Sequence, residues 1–562
     1  MESFTLLDHL ARTANTHSDK IAYHFLGDGE SESARIAFGE LDGRVTAVAR
    51  TLRERYDSGD RALLLYSAGL EFIVAFLGCL RAGVVAVPFY APRPREGTDK
   101  VLAVAAHCGA RAVLTTSALR PHLEHRFGRA GASNALDWLE TDALPASASP
   151  VLLPPTNTEL AFLQYTSGST GSPKGVMVSH ANILQNERMI ERAFEHSPES
   201  IVVGWLPFFH DMGLIGNMLQ PLYLGATGIF MSPMAFLQKP VRWLRAISNY
   251  RATTSGGPNF AFDLCVEKIT PDQCEGLDLR SWSLAFNGAE PVKRDTLERF
   301  TRAFEPYGFR RTSFFPCYGL AEATLFVTGG RSHAGTDVVS CGRPEDGLEV
   351  AIVDPERHVR CPPGQVGEIW LRGPSVACGY WNEPSPAFSA ELFEHDGRTR
   401  EGPFLRTGDL GFLDDGELYV TGRIKDILIV RGRKYHPHDI ERTVEGCHAA
   451  LKPAASAAFT ADGMGRERLV ILQEVRKEHV RRFDGREILG NVREAVASQH
   501  GLTVDMLILM PPGGVLRTSS GKVRRSACRQ GVLDGSLLQS SLATFGRLSG
   551  EKALIEGERS CS

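Results

Sequence analysis

Tyr165-Thr-Ser-Gly-Ser-Thr-Gly-Ser-Pro-Lys-Gly-Val176 is the segment around which the chain is organised. It holds three glycines, two threonines and three serines, with Lys174 near its end. The apolar run Leu160-Ala-Phe-Leu163 ahead of it predicts a buried strand. Glycine lets a backbone approach an anion closely and reach φ > 0. Hydroxyls and main-chain N–H groups can then surround phosphate oxygens, and a lysine adds a point charge. A flexible Gly/Ser linker has the same composition. The strand before, the lysine after and a helical pattern later favour a phosphate loop. The spacing is neither Gly-x-x-x-x-Gly-Lys-Ser/Thr nor Gly-x-Gly-x-x-Gly, so the loop's ligand must be read from the rest of the chain.

Outward from the loop, strand and helix patterns alternate. Arg61-Ala-Leu-Leu-Leu-Tyr66 is a continuous apolar run, as in a strand covered on both faces. A helix over Leu70–Ala82, a strand over Val84–Phe89, a helix near Val101–Cys108 and a strand at Ala112–Leu114 follow. Beyond the loop, His180–Phe194 predicts a helix and Ile201–Leu206 a strand. Ala252–Ser255 and Leu284–Phe286 read as strands running into Gly/Pro/Asn loops, where open α/β sheets bind ligands. This order predicts a parallel α/β sheet. From Val338 short strands between turns predict a small β-rich subdomain. The chain is too long for one core. The expected division is a large N-terminal domain over 1–424, a small mobile α+β domain over 425–535, and a poorly ordered tail over 536–562.

Composition narrows the class. The 562 residues are 43% apolar and 23% charged, as in soluble globular proteins. A net charge of −4 gives no reason to expect nucleic-acid binding. No signal peptide is expected from the opening residues, and the apolar stretches Phe72–Leu80 and Gly83–Tyr90 are too short for an integral membrane segment. Eleven cysteines without a Cys-x-x-Cys predict reduced thiols and a cytoplasmic location.

Further motifs follow the loop in order. They are Trp205-Leu-Pro-Phe-Phe-His-Asp-Met-Gly-Leu-Ile-Gly216, Asn287-Gly-Ala-Glu-Pro291 and Cys317-Tyr-Gly-Leu-Ala-Glu322. Then come Gly367-Glu-Ile-Trp370, Gly379-Tyr-Trp381, Arg406-Thr-Gly-Asp-Leu410, Gly422-Arg-Ile-Lys-Asp-Ile-Leu-Ile429 and Arg517-Thr-Ser-Ser-Gly-Lys-Val-Arg524. The set resembles the adenylate-forming superfamily of acyl-CoA synthetases, luciferases and peptide-synthetase adenylation domains, from about Thr5 to Asp534. His210-Asp-Met-Gly-Leu214, Gly257-Pro-Asn-Phe-Ala261, Tyr318–Leu325 and Val87–Pro94 resemble its fatty acyl-AMP ligase branch. That branch carries an extra segment limiting use of coenzyme A, and the short stretch Phe388–Phe404 is the one that corresponds.

The resemblance implies ATP and Mg2+ as cofactors. It implies activation of a fatty acid to its acyl-adenylate, then transfer to the phosphopantetheine thiol of a carrier protein. No carrier domain follows Asp534, so the acceptor is expected on a separate acyl carrier protein or polyketide/peptide synthetase. A fatty acyl-CoA synthetase and an amino-acid or aryl-acid adenylation enzyme are the alternatives. In the latter an aspartate pairs with the substrate amine, and Asp211 and Asp263 are the nearest.

The resemblance also assigns residues. Thr166, Ser167, Gly168, Ser169, Thr170, Gly171 and Lys174 hold the β- and γ-phosphates. Glu322 helps hold Mg2+, a hard cation suited to oxygen; a solvated glutamate is the plain alternative. Tyr318 stacks on adenine beside Gly319, and Gly288, Ala289 and Glu290 line the base. Asp409 takes the ribose diol, with Arg423 near it; a turn aspartate is the alternative. His210 gates the acyl carboxylate, or packs in the core; adenylation needs no base because the acid is already ionised near pH 7. Lys522 arrives from the small domain as the adenylation lysine, and Lys425 marks the hinge. Leu214, Met218, Met231, Met234 and Phe260 are expected in the acyl wall or the core. Arg481, Arg482, Arg524, Arg525 and Arg529 form either a carrier-docking surface or a solvated face.

Overall fold

The computed structural model describes residues 5–92, 97–129, 136–144, 159–166, 173–331, 338–393, 400–430, 433–463, 466–517 and 522–546. It divides into two compact units. One is Met1–Thr407 with Gly411–Val420; the other is Gly408–Leu410 with Thr421–Ser562.

The first unit is built on two large sheets. In one, the strands run in the order Asp137–Glu140, Ala112–Thr115, Arg61–Tyr66, Val85–Tyr90, Leu160–Thr166 and Lys174–Ser179. The first five are parallel. Leu63, Leu64 and Leu65 are fully buried, as the unbroken apolar run requires of a strand covered on both faces. Burying each such side chain stabilises the fold by about 2 kcal/mol. The helix Leu70–Ala82 is apolar nearly all round and packs on Phe38–Arg53. Gly78 is the reason the two helices approach so closely, since a Cβ there would lie 2.4 Å from Val48 Cγ1.

The other large sheet has Ile21–Leu26, Thr227–Met231, Ile201–Gly204, Thr254–Gly257, Leu284–Asn287 and Phe314–Gly319 side by side and parallel. Antiparallel strands flank them. A smaller five-stranded sheet holds Glu349–Val353, Gly367–Arg372, Ala390–Phe393, Arg400–Asp414 and Glu417–Arg423, matching the expected β-rich subdomain.

The residues after the opening loop do not pass straight into a helix. Lys174–Ser179 is a strand antiparallel to Leu160–Thr166, with Thr166 opposite Lys174. The helix His180–Phe194 begins only afterwards, capped by Ser179, whose hydroxyl accepts the Asn182 N–H at 3.1 Å. The loop therefore joins two antiparallel strands.

The second unit has a four-stranded sheet ordered Leu451–Gly463, Arg466–Val475, Val504–Met510 and Ala543–Gly546. The helices Pro437–Gly446 and Gly485–His500 contribute Ile440, Val444, Ile488, Val492 and Val496 to its core. The stretch after Ser536, expected as a poorly ordered tail, is ordered through Gly546. Its strand pairs Leu509 with Ala543 and Met506 with Gly546. The alternation Ala543, Phe545 on an otherwise Ser/Gly-rich background is too short to read as a strand. Among the described residues no helix is long and apolar enough to cross a membrane.

Candidate active site

Parallel strands bring their C-terminal ends to one edge, and there the motif residues collect. Leu284–Asn287 leads directly into Gly288, Ala289 and Glu290; its neighbour Phe314–Gly319 carries Tyr318 and leads to Glu322. Two residues here hold backbone angles that L-residues avoid. Ala289 has φ 75°, and the buried Thr324 has φ 70°. Such angles cost on the order of 1–3 kcal/mol and persist where the surroundings fix them, commonly at functional sites. Thr324 is fixed by its hydroxyl, which donates to the Ser375 carbonyl at 2.7 Å. Gly319 is needed for close approach, since a Cβ there would sit 1.9 Å from the Leu325 carbonyl oxygen. Tyr318 is largely buried, and Glu290 is half-buried.

The hairpin strand Lys174–Ser179 is tied to the segment around Tyr380. The Trp381 N–H donates to the Gly175 carbonyl at 2.8 Å, and the Met177 N–H to the Gly379 carbonyl at 3.0 Å. This lays Lys174 against Tyr380: its Nζ is 4.8 Å from the ring centroid. The same Nζ lies 3.5 Å from Glu383 Oε2. On its far end, the Tyr380 hydroxyl donates to Glu322 Oε1 at 2.7 Å. The lysine expected on phosphate and the glutamate expected on Mg2+ thus share one aromatic side chain. Sequence reasoning assigned no role to Tyr380 or Glu383. Their signal was the Gly379-Tyr-Trp381 motif, a ring and a nearby carboxylate within an ordered series. Thr166 ends its strand opposite Lys174. Ser167, Gly168, Ser169, Thr170 and Gly171 lie outside the described residues.

The base of the loop is held from beneath. The Tyr165 hydroxyl lies 2.7 Å from His107 Nδ1. Burial, with Cys108 beside it, pushes that phenol well above its usual range, so it stays neutral. Gln164 Nε2 donates to the Phe209 carbonyl at 2.9 Å, which ties the strand before the loop to the His210 segment. His210 Nδ1 is 2.6 Å from Asp211 Oδ1. That contact places the ring proton on Nδ1 and leaves Nε2 as the other polar face. The chain then enters a π-helical turn over Met212–Leu219, a rare form common near functional sites.

The expected acyl-wall residues separate. Leu214 and Met218 are fully buried and Met231 nearly so. The Met218 carbonyl accepts the Tyr23 hydroxyl at 2.7 Å. Phe260 is half-buried, 5.8 Å from the Trp205 ring, whereas Met234 is 42% exposed. Asp263, weighed as an amine partner, accepts the Thr296 hydroxyl at 3.0 Å and lies 3.4 Å from Arg299. Burial raises its carboxyl to about 6.

In the second unit, Asp409 and Arg423 come together: Nε is 2.8 Å from Oδ1, with Asp409 buried and Arg423 mostly exposed. Lys425 lies in the turn Ile424–Asp426. Lys522 stands beside the bridge between Arg517 and Val523. One of the arginines considered for a docking surface is committed inside the unit. Arg525 donates to both Glu441 oxygens at 2.7 Å and to Asp426 Oδ2 at 3.0 Å. Arg529 Nε donates to the Thr460 carbonyl at 2.9 Å.

Among the described residues no three His, Cys, Asp or Glu side chains converge on a cation site. Glu322 still fits Mg2+, which binds through one or two carboxylates together with substrate phosphates.

The AMP-binding enzyme family model matches residues 10–381, and a Disco-interacting protein 2-like AMP domain model matches 425–540. The medium-chain-fatty-acid–[acyl-carrier-protein] ligase JamA of Moorena producens is 43% identical, over 96% of both chains. A Mycobacterium tuberculosis protein named as a fatty-acid–CoA ligase, FadD21, is 37% identical over 98% of this chain and all of its own. The fatty acyl-adenylate ligase of Legionella pneumophila, solved with acyl adenylate and pyrophosphate, superposes with a TM-score of 0.71. It shares 39% identity and covers 96% of this chain and 98% of its own. With these matches spanning nearly the whole length, the chain belongs to the AMP-binding enzyme family, in its fatty acyl-adenylate ligase branch.

Proposed function

We propose that the protein activates a fatty acid with ATP and Mg2+ to an acyl-adenylate and passes the acyl group to the phosphopantetheine thiol of a separate carrier protein. The observation that carries this is the placement of Lys174 and Glu322 on one side chain, Tyr380, next to the Thr/Ser/Gly loop. The carrier-protein name of the relative JamA supports the acceptor. The cytoplasmic location belongs to the same proposal and rests on the cysteine pattern.

A carboxylate is a poor acyl donor because its oxygen is a poor leaving group. In the proposed reaction a carboxylate oxygen attacks the α-phosphorus. A new P–O bond forms, the bond to the bridging oxygen breaks, and pyrophosphate leaves. No proton moves, so His210 acts as a polar gate beside Asp211 and not as a base. Crowded negative charge must be neutralised and aligned. Mg2+, when bound, supplies Lewis-acid stabilisation of phosphate charge. Lys174 and the hydroxyls of Thr166, Ser167, Ser169 and Thr170 hold the departing pyrophosphate. Tyr318, Gly288, Ala289 and Glu290 line adenine, and Asp409 with Arg423 takes the ribose. Lys522 enters with the small domain, over 425–535, which turns about Lys425 relative to the large domain, over 1–424. Of the residues expected in the acyl wall, half-buried Phe260 lines the acyl site, while the sealed Leu214, Met218 and Met231 pack in the core. Asp211 and Asp263 already face His210, Thr296 and Arg299, which disfavours an amino-acid ammonium as substrate.

Coenzyme A as acceptor is the second reading, favoured by the name that FadD21 carries. Against it we set the pairing of Ala390–Phe393 with the start of Arg400–Asp414, which falls within the stretch Phe388–Phe404 proposed as the short counterpart of the segment that limits coenzyme A. Arg372 and Arg360 pin this pairing through Glu401, at 2.6 and 2.8 Å. The test is ATP–pyrophosphate exchange across fatty, aryl and amino acids. Exchange is expected with fatty acids alone; exchange driven by an amino acid would overturn the proposal.

A further inference from the structure

We propose that Tyr380 is a positioning residue that sets the metal carboxylate Glu322 and the phosphate lysine Lys174 as one unit, with Glu383 holding Lys174 until phosphate takes its place. The proposal rests on the reading of this site as one for Mg2+ and ATP.

Tyr380 is itself anchored on several sides. Its N–H donates to Ser385 Oγ at 2.8 Å. Its ring meets Phe388 edge-on at 5.2 Å. Its backbone bridges to Val176, and its two chain neighbours bond to Gly175 and Met177. A ring held so firmly to the lysine's own strand cannot move independently of that strand. The hydroxyl then fixes the rotation of the Glu322 carboxylate by occupying one lone pair of Oε1 at 2.7 Å. The ring face, electron-rich, keeps the Lys174 ammonium 4.8 Å away. Glu383, at 3.5 Å, is a half-exposed counter-charge to Lys174. An incoming polyphosphate carries more negative charge than one carboxylate and competes for the same ammonium. Hydroxyl and ring therefore do separable work, one on the metal ligand and one on the phosphate ligand.

The experiment is ATP binding to the full chain, titrated against Mg2+ by isothermal calorimetry without any acid substrate. Tyr380→Phe keeps the ring and loses the hydroxyl. It should raise the Mg2+ concentration for half-maximal ATP binding about three- to tenfold, the weight of one hydrogen bond. In steady state, the KM for fatty acid should not move. In a Glu322→Gln background the same change should add nothing. Glu383→Gln should tighten ATP by up to about fivefold, since it removes the competing charge of a partly exposed pair. Wild-type Mg2+ dependence in Tyr380→Phe, or an additive effect in the Glu322→Gln background, would overturn the assignment. Thermal melting of each variant separates these results from misfolding, and a destabilised Tyr380→Phe is replaced by the Glu383→Gln comparison, where unchanged or weaker ATP binding counts against the proposal. Wild-type protein that binds ATP with Mg2+ but adenylates no fatty acid defeats the functional proposal and leaves this one standing.

Discussion

Replacing Arg525 by methionine tests the internal logic of the second unit. The guanidinium is 22% exposed and spans two elements, with Glu441 on the helix Pro437–Gly446 and Asp426 in the turn that contains Lys425. Glu441 is 9% exposed at its side chain, and its Oε1 also accepts the Ala458 N–H at 2.9 Å. The two carboxylates raise the arginine's proton affinity despite its burial. Asp426 is more open and contributes less. Losing the cation leaves Glu441 charged, buried and held by one neutral donor, which costs about 3–5 kcal/mol. That is a large part of the stability of a domain this size. Differential scanning calorimetry of Arg525→Met should show the second unit melting earlier. Arg525→Met with Glu441→Gln should recover a large part of the loss, because the stranded charge is gone. An unchanged melting profile, or a double variant no better than the single, would refute the account of Arg525 as an internal clamp.

Other changes have equally definite outcomes. Gly319→Ala drives a Cβ to within 1.9 Å of the Leu325 carbonyl, so the turn after Tyr318 must shift. Its ATP KM should rise more than tenfold, an effect of about 1.4 kcal/mol or more, measurable by pyrophosphate exchange. His196 is buried with Nε2 2.8 Å from Thr254 Oγ1, and burial carries its pKa down to about 4 from 6.5. The unfolded chain then binds a proton that the folded chain refuses between these values. Stability is full above pH 6.5 and falls as pH drops toward 4, by at most about 3 kcal/mol from this residue. His196→Gln should flatten that part of the denaturation-versus-pH curve. Lys522→Ala should slow acyl-adenylate formation by about 100-fold or more, the weight of one transition-state charge contact, with ATP binding little changed in calorimetry.

The sheet strands were legible because their apolar runs are unbroken. Leu63–Leu65 announces burial on both faces, and the structure buries all three. Motif order carried this part of the candidate site, since Gly288 and Glu322 follow, and Tyr318 lies in, strands that the topology sets side by side. The rest depended on contacts between distant residues. Arg525 reads as a surface charge until Glu441 and Asp426 are seen to face it. Met218 and Met234 are the same residue type sixteen positions apart, yet one is sealed and the other 42% exposed. Tyr380 lay in a quoted motif, but nothing in its neighbours reveals that its hydroxyl reaches Glu322. The strand Ala543–Gly546 is stabilised by pairing with Val504–Met510, not by its own composition.

A competition for the acyl group separates the carrier protein from coenzyme A as acceptor. Purified protein receives a medium-chain fatty acid, ATP and Mg2+, with a phosphopantetheinylated acyl carrier protein and free coenzyme A present together. Mass spectrometry follows acyl-adenylate, acyl-carrier protein and acyl-CoA in the same sample. Acyl-adenylate should appear first, then acyl-carrier protein, with little acyl-CoA. Absence of acyl-adenylate, or rapid accumulation of acyl-CoA in preference to the loaded carrier, would contradict it.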